Sequence, residues 1–158
     1  MNISVIDVVK SLIAYLESKA VGDSDLEDHI YTHPQEERTN KYKKFIVLGY
    51  EVDPAPYELG DTQTQTIITF NIILGFRDNT MSLSGTEKEL GDTFFYDYAR
   101  YLRSREFRVY MAGLGIKVPP HHITREWHLD FDHNLEGLRK YNITLKLLTY
   151  IETLEDIP

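Results

Sequence analysis

Thr66-Ile67-Ile68-Thr69-Phe70-Asn71-Ile72-Ile73-Leu74-Gly75-Phe76 is the stretch on which the fold turns. Side chains alternate across a strand, so Ile68, Phe70, Ile72, Leu74 and Phe76 share one face and Ile67, Thr69, Asn71 and Ile73 the other. The first face is uniformly apolar and belongs against a core. The second is half-polar and meets a partner or water. Gly75, which brings no side chain to either face, reads as the site of a bulge.

A central strand needs neighbours. Upstream, Phe45-Ile46-Val47-Leu48-Gly49-Tyr50-Glu51-Val52 reads as a second strand. Asp53-Pro54-Ala55-Pro56 ends it, because prolines cannot donate to a ladder. Downstream, the chain closes with a long alternating segment, Leu138 to Ile151, in which Tyr141, Ile143, Leu145 and Leu147 oppose Asn142, Thr144 and Lys146. Trp127, Leu129 and Phe131 alternate with His128, Asp130 and Asp132 and predict one more amphipathic strand.

Helical signals lie outside these runs. Ser4-x-x-Asp7 has the form of a capping box, and Ile6, Val9, Ile13 and Leu16 follow at helical spacing, widened by Val5, Leu12 and Ala20. Gly22 is the expected stop. The acidic stretch from Asp23 to Asp28 reads as a solvated loop or a short helix from Ser24. Thr86-x-x-Glu89 opens a second helix with Leu90, Phe94, Tyr98 and Leu102 at four-residue intervals, flanked by Phe95 and Tyr101. Ser104 caps a short helix from Arg105 to Ala112, ended by Gly113 or Gly115. The expected architecture is α+β: two long helices packed on a mixed, mainly antiparallel sheet, one two-layer domain over residues 1–158.

Composition narrows the functional classes. The 158 residues suffice for a core without staples, and the lack of cysteine excludes disulfides, thiolate metal sites and cysteine nucleophiles. The first residues lack a basic then apolar leader pattern, and no run approaches the roughly 18 apolar residues of a membrane span, so a cytoplasmic protein is expected. Seventeen basic residues against 25 acidic ones give a net charge of -8, which repels a phosphate backbone and argues against sequence-specific nucleic-acid binding. The 11 tyrosines and 7 phenylalanines exceed ordinary core needs enough to suggest protein interfaces, although most of them fill a core on the simpler reading.

Catalytic chemistry leaves few traces. His128, Asp130 and Asp132 share a strand face and could converge on a metal, but a polar row of period two is more often the wet side of an amphipathic strand. Asp130-x-Asp132-x-Asn134-x-Glu136 mimics the opening of a calcium loop, yet Leu135 stands where glycine is required and Tyr141 where glutamate is. No Gly-x-Ser-x-Gly elbow occurs, and Gly113-x-Gly115 follows a helix where a dinucleotide fingerprint follows a strand. Neither catalytic residues nor a cofactor are expected.

In element order the chain resembles the terminator (tail completion) proteins of bacteriophage tails and necks. The resemblance rests on the helix from Val5 to Leu16, the strands Lys44-Phe45-Ile46-Val47-Leu48 and Thr66 to Ile72, and the aromatic–leucine helix. It continues through Leu114-Gly115-Ile116-Lys117-Val118 to the closing strand from Leu138 to Leu147. It covers nearly the whole chain and carries no invariant signature. It implies a non-enzymatic virion protein that forms a ring, typically of six copies, at the head-proximal end of the tail. The implied partners are other copies of itself, the tail tube protein and the head–tail connector or adaptor, with the sheath and tape measure proteins as further ones. Ring closure needs a heterologous interface, so Ile67, Asn71 and Ile73 of the half-polar face become candidate contacts. Tyr57 and Leu59, and His122 and Arg125, join them from two expected docking loops, Tyr57 to Thr64 and Pro119 to Arg125. The rival readings are another phage head–tail adaptor, tube or baseplate component, and a small cytoplasmic metal-binding enzyme using the His128, Asp130 and Asp132 row.

Overall fold

A computed structural model describes residues 4–32, 42–53, 57–58, 63–77, 86–128 and 138–152. Three helices, α1 (Val5–Ala20), α2 (Thr86–Arg103) and α3 (Arg105–Gly113), form one layer. The other layer is a sheet of β1 (Ile30–Tyr31), β2 (Lys44–Val52), β3 (Tyr57–Glu58), β4 (Gln63–Arg77), β5 (Ile123–His128) and β6 (Leu138–Glu152), ordered β1-β2-β4-β6-β5 with β3 beside β4. β1 runs parallel to β2 and every other pairing is antiparallel, so the fold is the expected α+β with a mixed, mainly antiparallel sheet.

The central stretch sits where its pattern requires. β4 pairs with β2 on one side and with β6 on the other, in register from Gln63↔Glu152 to Arg77↔Leu138. Ile68, Phe70, Ile72, Leu74 and Phe76 are buried against the helices together with Ile46 and Leu48 of β2 and Tyr141, Ile143, Leu145 and Leu147 of β6. The closing strand is thus flanked on both sides within its own chain. Its backbone is paired with β4 along its whole length and with β5 over residues 141–145.

Gly75 makes no bulge. It pairs regularly with Phe45 and Lys140, and the absent side chain has a different reason. A Cβ there would overlap the ring of Phe45, which lies flat over the glycine on the face away from the helices. Phe45, Val47 and Leu138 form a small second cluster on that face, with Tyr31 packed against it.

α1 begins with the expected capping box: Ser4 Oγ accepts from the Asp7 N–H at 3.1 Å, and the Asp7 carboxylate accepts from the Ser4 N–H at 3.3 Å. The Ser4 hydroxyl, which also donates to the Asp7 carboxylate at 2.8 Å, and after it the Ser4 N–H hold the Asp7 carboxyl below its ordinary pKa. The buried face is rotated from the expected one. Val8, Leu12, Tyr15 and Leu16 are its centre, and Ile6 is 59% exposed. In α2 the same thing happens to Leu90, which is 48% exposed while Phe94, Tyr98 and Leu102 are buried. Residues four apart advance about 40° beyond a full turn, so three steps from Leu102 carry Leu90 roughly 120° around the helix and off the core. Phe95 and Ala99 fill the face instead. The capping groups of Thr86 lie outside the described residues.

α3 runs to Gly113, and Gly115 is the residue that closes its cap. The Ile116 N–H donates to the Met111 carbonyl at 3.0 Å and the Gly115 N–H to the Ala112 carbonyl at 3.1 Å, the paired bonds of a Schellman motif. Gly115 has φ +82°, which glycine adopts without a Cβ penalty. Ile116 and Met111 are both buried in the core, so the cap also turns the chain back toward the sheet. There Lys117 forms a single antiparallel bridge with Leu148, two bonds of 2.9 Å, on the β5 side of β6. Among the described residues no helix is long and apolar enough to cross a membrane.

Candidate assembly surface

The helices cover one face of the sheet, and the candidate residues gather on the other. Pairing lines up Ile67 with Leu148, Thr69 with Lys146, Asn71 with Thr144 and Ile73 with Asn142 across β4 and β6. On this face Ile67, Thr69, Asn71 and Ile73 are half-buried, and Lys140 and Lys146 are exposed. The Thr144 hydroxyl lies 3.1 Å from the side-chain oxygens of both Asn71 and Asn142, so the middle of the face is a polar ladder between apolar ends. Further out, β5 adds Arg125 and Trp127, opposite Thr144 and Asn142. The Arg125 guanidinium lies 5.6 Å from the Trp127 ring centroid, and both side chains are exposed, Trp127 by 42%. β2 adds Gly49 and Glu51 at the opposite side.

The charges are segregated. Arg125, Lys140 and Lys146 make the β5–β6 side of the open face basic, and the carboxylate of Glu51 lies across the sheet on β2. A separate acidic group, Asp25, Glu27 and Asp28, is exposed on turns after α1. Leu26 of the same segment is fully buried and anchors it, and Asp23 pairs with Lys44 at 2.9 Å.

Arg125 was expected in a docking loop and instead belongs to a strand. β5 begins at Ile123, with His121 and His122 between it and the Pro119-Pro120 pair, and has a register irregularity between Ile123 and Arg125. The irregular segment ends earlier than expected because Ile123 and Thr124 are β-branched and fit the pleat. Tyr57 pairs with Gln65 through the backbone. Its side chain, together with Leu59, the His128 side chain, Asp130 and Asp132, lies outside the described residues. Among the described residues no three His, Asp or Glu side chains gather as a metal would require.

His122 is placed inside the fold, only 4% exposed. Its Nε2–H donates to the Leu102 carbonyl at 2.6 Å, and its Nδ1 accepts from Arg108 Nη2 at 3.0 Å. Arg108 Nη1 in turn donates to the Val118 carbonyl at 3.1 Å, and the His122 carbonyl accepts from the Lys146 N–H at 2.8 Å. The ring also stacks on Phe107. One histidine, through its ring and its backbone carbonyl, therefore ties the end of α2, α3, the segment before β5 and the closing strand together. Its ring is spent on the interior and does not reach a partner surface.

Burial pushes the His122 pKa down from its ordinary 6.5, and the nearby cations Arg108 and Arg103 push the same way, against the bond to Leu102. The stability contributed by the neutral ring is full above pH 6.5 and is lost as pH falls through the lower folded value, because the unfolded chain then binds the extra proton. His122→Gln removes that titration. Its urea midpoint should fall less steeply between pH 6.5 and acid than the wild type's, and parallel curves would show that another group sets the acid limit.

The sequence reading passed over Trp127 and the Gly49 to Val52 end of β2 as contact sites. Both announce themselves only as exposure: residues 49–52 are exposed on either face although the strand carries tyrosine and valine. Compared with known proteins, the sequence matches no family model and no curated protein.

Proposed function

We propose that this chain is a non-enzymatic assembly protein that forms a ring at the head-proximal end of a phage tail, closing the tail tube and joining it to the head connector. The observation that carries the reading is a sheet with helices, among the described residues, on one face only. Its other face combines half-buried Ile67 and Ile73 with a polar ladder, and exposed Arg125 and Trp127 lie at one margin. An incompletely covered face flanked by two unlike edges suits head-to-tail contacts around a cyclic axis. Support for the tail-terminator class comes from the order of elements: helix, strands, long helix, capped short helix, return bridge and closing strand. In this reading the protein is made in the host cytoplasm and resides in the virion.

The test is direct. Purified protein, alone and mixed with tail tube protein, is examined by light scattering and negative-stain microscopy. Rings, or tubes capped at one end, are the expected result. A protein that stays monomeric and leaves tube ends bare overturns the proposal.

A further inference from the structure

The two edges of the sheet are complementary in backbone direction, side chain and charge. β1 covers only Ile46 and Val47 of β2, so among the described residues no strand pairs with the outer edge of Leu48 to Val52. The Ile46 N–H points outward, to the His29 carbonyl at 3.0 Å, and the Asp53 N–H points inward, to the Ile67 carbonyl at 2.9 Å. Backbone groups alternate along a strand, so those of Leu48, Tyr50 and Val52 also point outward. At the other edge, β5 pairs with β6 alone among the described residues. β6 turns its even-numbered residues toward β5, as the bonds from the Lys146 and Leu148 N–H groups show. Arg125 and Trp127, opposite Thr144 and Asn142, therefore bond inward, which leaves the backbone groups of Glu126 and His128 facing out.

We infer that β5 of one copy adds to the outer edge of β2 in the next, with Arg125 opposite Glu51 and Trp127 opposite Gly49. This rests on the self-assembly reading above and names its interface. β5 runs opposite to β2 within the sheet, so copies in the same orientation meet in antiparallel pairing. Glu126 then bonds with Tyr50 and His128 with Leu48, matching outward groups to outward groups while keeping the two open faces continuous. Arg125 finds its carboxylate. The Trp127 ring covers an exposed glycine, a pairing that favours sheet edges. Sliding by two residues toward β1 sets Trp127 opposite Val47, whose edge is occupied by Tyr31. Sliding the other way runs Arg125 past the end of β2.

Trp127 is the sole tryptophan, so its emission reports on this contact directly. Sedimentation velocity and fluorescence are followed over a concentration series of the full chain. The expected result is a blue shift that rises with the assembled fraction. Glu51→Arg and Arg125→Glu, both exposed, should each raise the dissociation constant roughly tenfold, and the double exchange should restore it to within about threefold. Tyr50→Pro, which removes an outward N–H, should abolish assembly with an unchanged circular dichroism spectrum. Rings that form with unshifted Trp127 emission and tolerate the reversals overturn this pairing and leave the ring reading standing. Open chains or dimers that carry the blue shift and the charge rescue support the pairing and overturn the ring. A monomer at every concentration overturns both.

Discussion

Phe107→Ala is expected to cost the fold about 4 kcal/mol, a large share of the stability of an ordinary domain. Phe107 is fully buried where three elements meet. Its ring stands edge-on to Tyr15 of α1 at 5.0 Å and stacks on His122 at 6.0 Å, and its N–H donates to Ser104 Oγ at 3.1 Å to start α3. Removing the ring leaves a cavity that the surroundings cannot close, because Tyr15 is held by its hydroxyl to the Tyr101 carbonyl at 3.1 Å. A second consequence distinguishes this site from any other core position. With the ring gone, water reaches His122, its pKa rises toward the ordinary value, and the acid sensitivity of the variant shrinks. Urea unfolding at two pH values measures both effects. A cost below about 1.5 kcal/mol would mean that the junction repacks and is not the rigid node described here.

Gly75→Val is expected to destabilise by about 3 kcal/mol, for the opposite reason. Valine is a better strand residue than glycine, so propensity alone predicts a gain. Here the new Cβ overlaps the Phe45 ring, and Phe45 is itself 4% exposed with nowhere to go. The sign of the change therefore reports on the cross-strand contact. Phe45→Ala in the same chain should recover a part of the loss, and a double-mutant cycle should return a coupling of roughly 1–3 kcal/mol. A stabilised Gly75→Val protein, or additive effects, would show that Phe45 does not lie over Gly75.

Much of the fold was legible because it depends on local periodicity. The period of two in Thr66 to Phe76 identified the central strand and its core face, and the capping residues Ser4 and Ser104 started helices where expected. The errors concern rotation and pairing. Ile6 and Leu90 were expected inside because apolar spacing was read without the drift of the helix. Gly75 was read as a bulge because its reason is a ring thirty residues away in sequence. Among the candidate contacts, Ile67, Asn71, Ile73 and Arg125 share the open face, while His122 is buried in the interior against the helices. A histidine after two prolines looks like a loop residue, and nothing local reveals that Leu102 and Arg108 wait for its two nitrogens.

By itself the sequence determined the class of architecture, the helices and strands, and which face of the central strand meets the core. Each of these follows from residues within a few positions of one another, where sterics and periodicity act. Only the tertiary structure decided that the closing strand lies between β4 and β5, that β5 and the Leu48 to Val52 stretch of β2 are open edges among the described residues, and that His122 is a buried junction. Those outcomes depend on which distant segments pair. Register over fifteen residues of β4 and β6, one ring over one glycine, and one imidazole between two helices and a strand select that pairing.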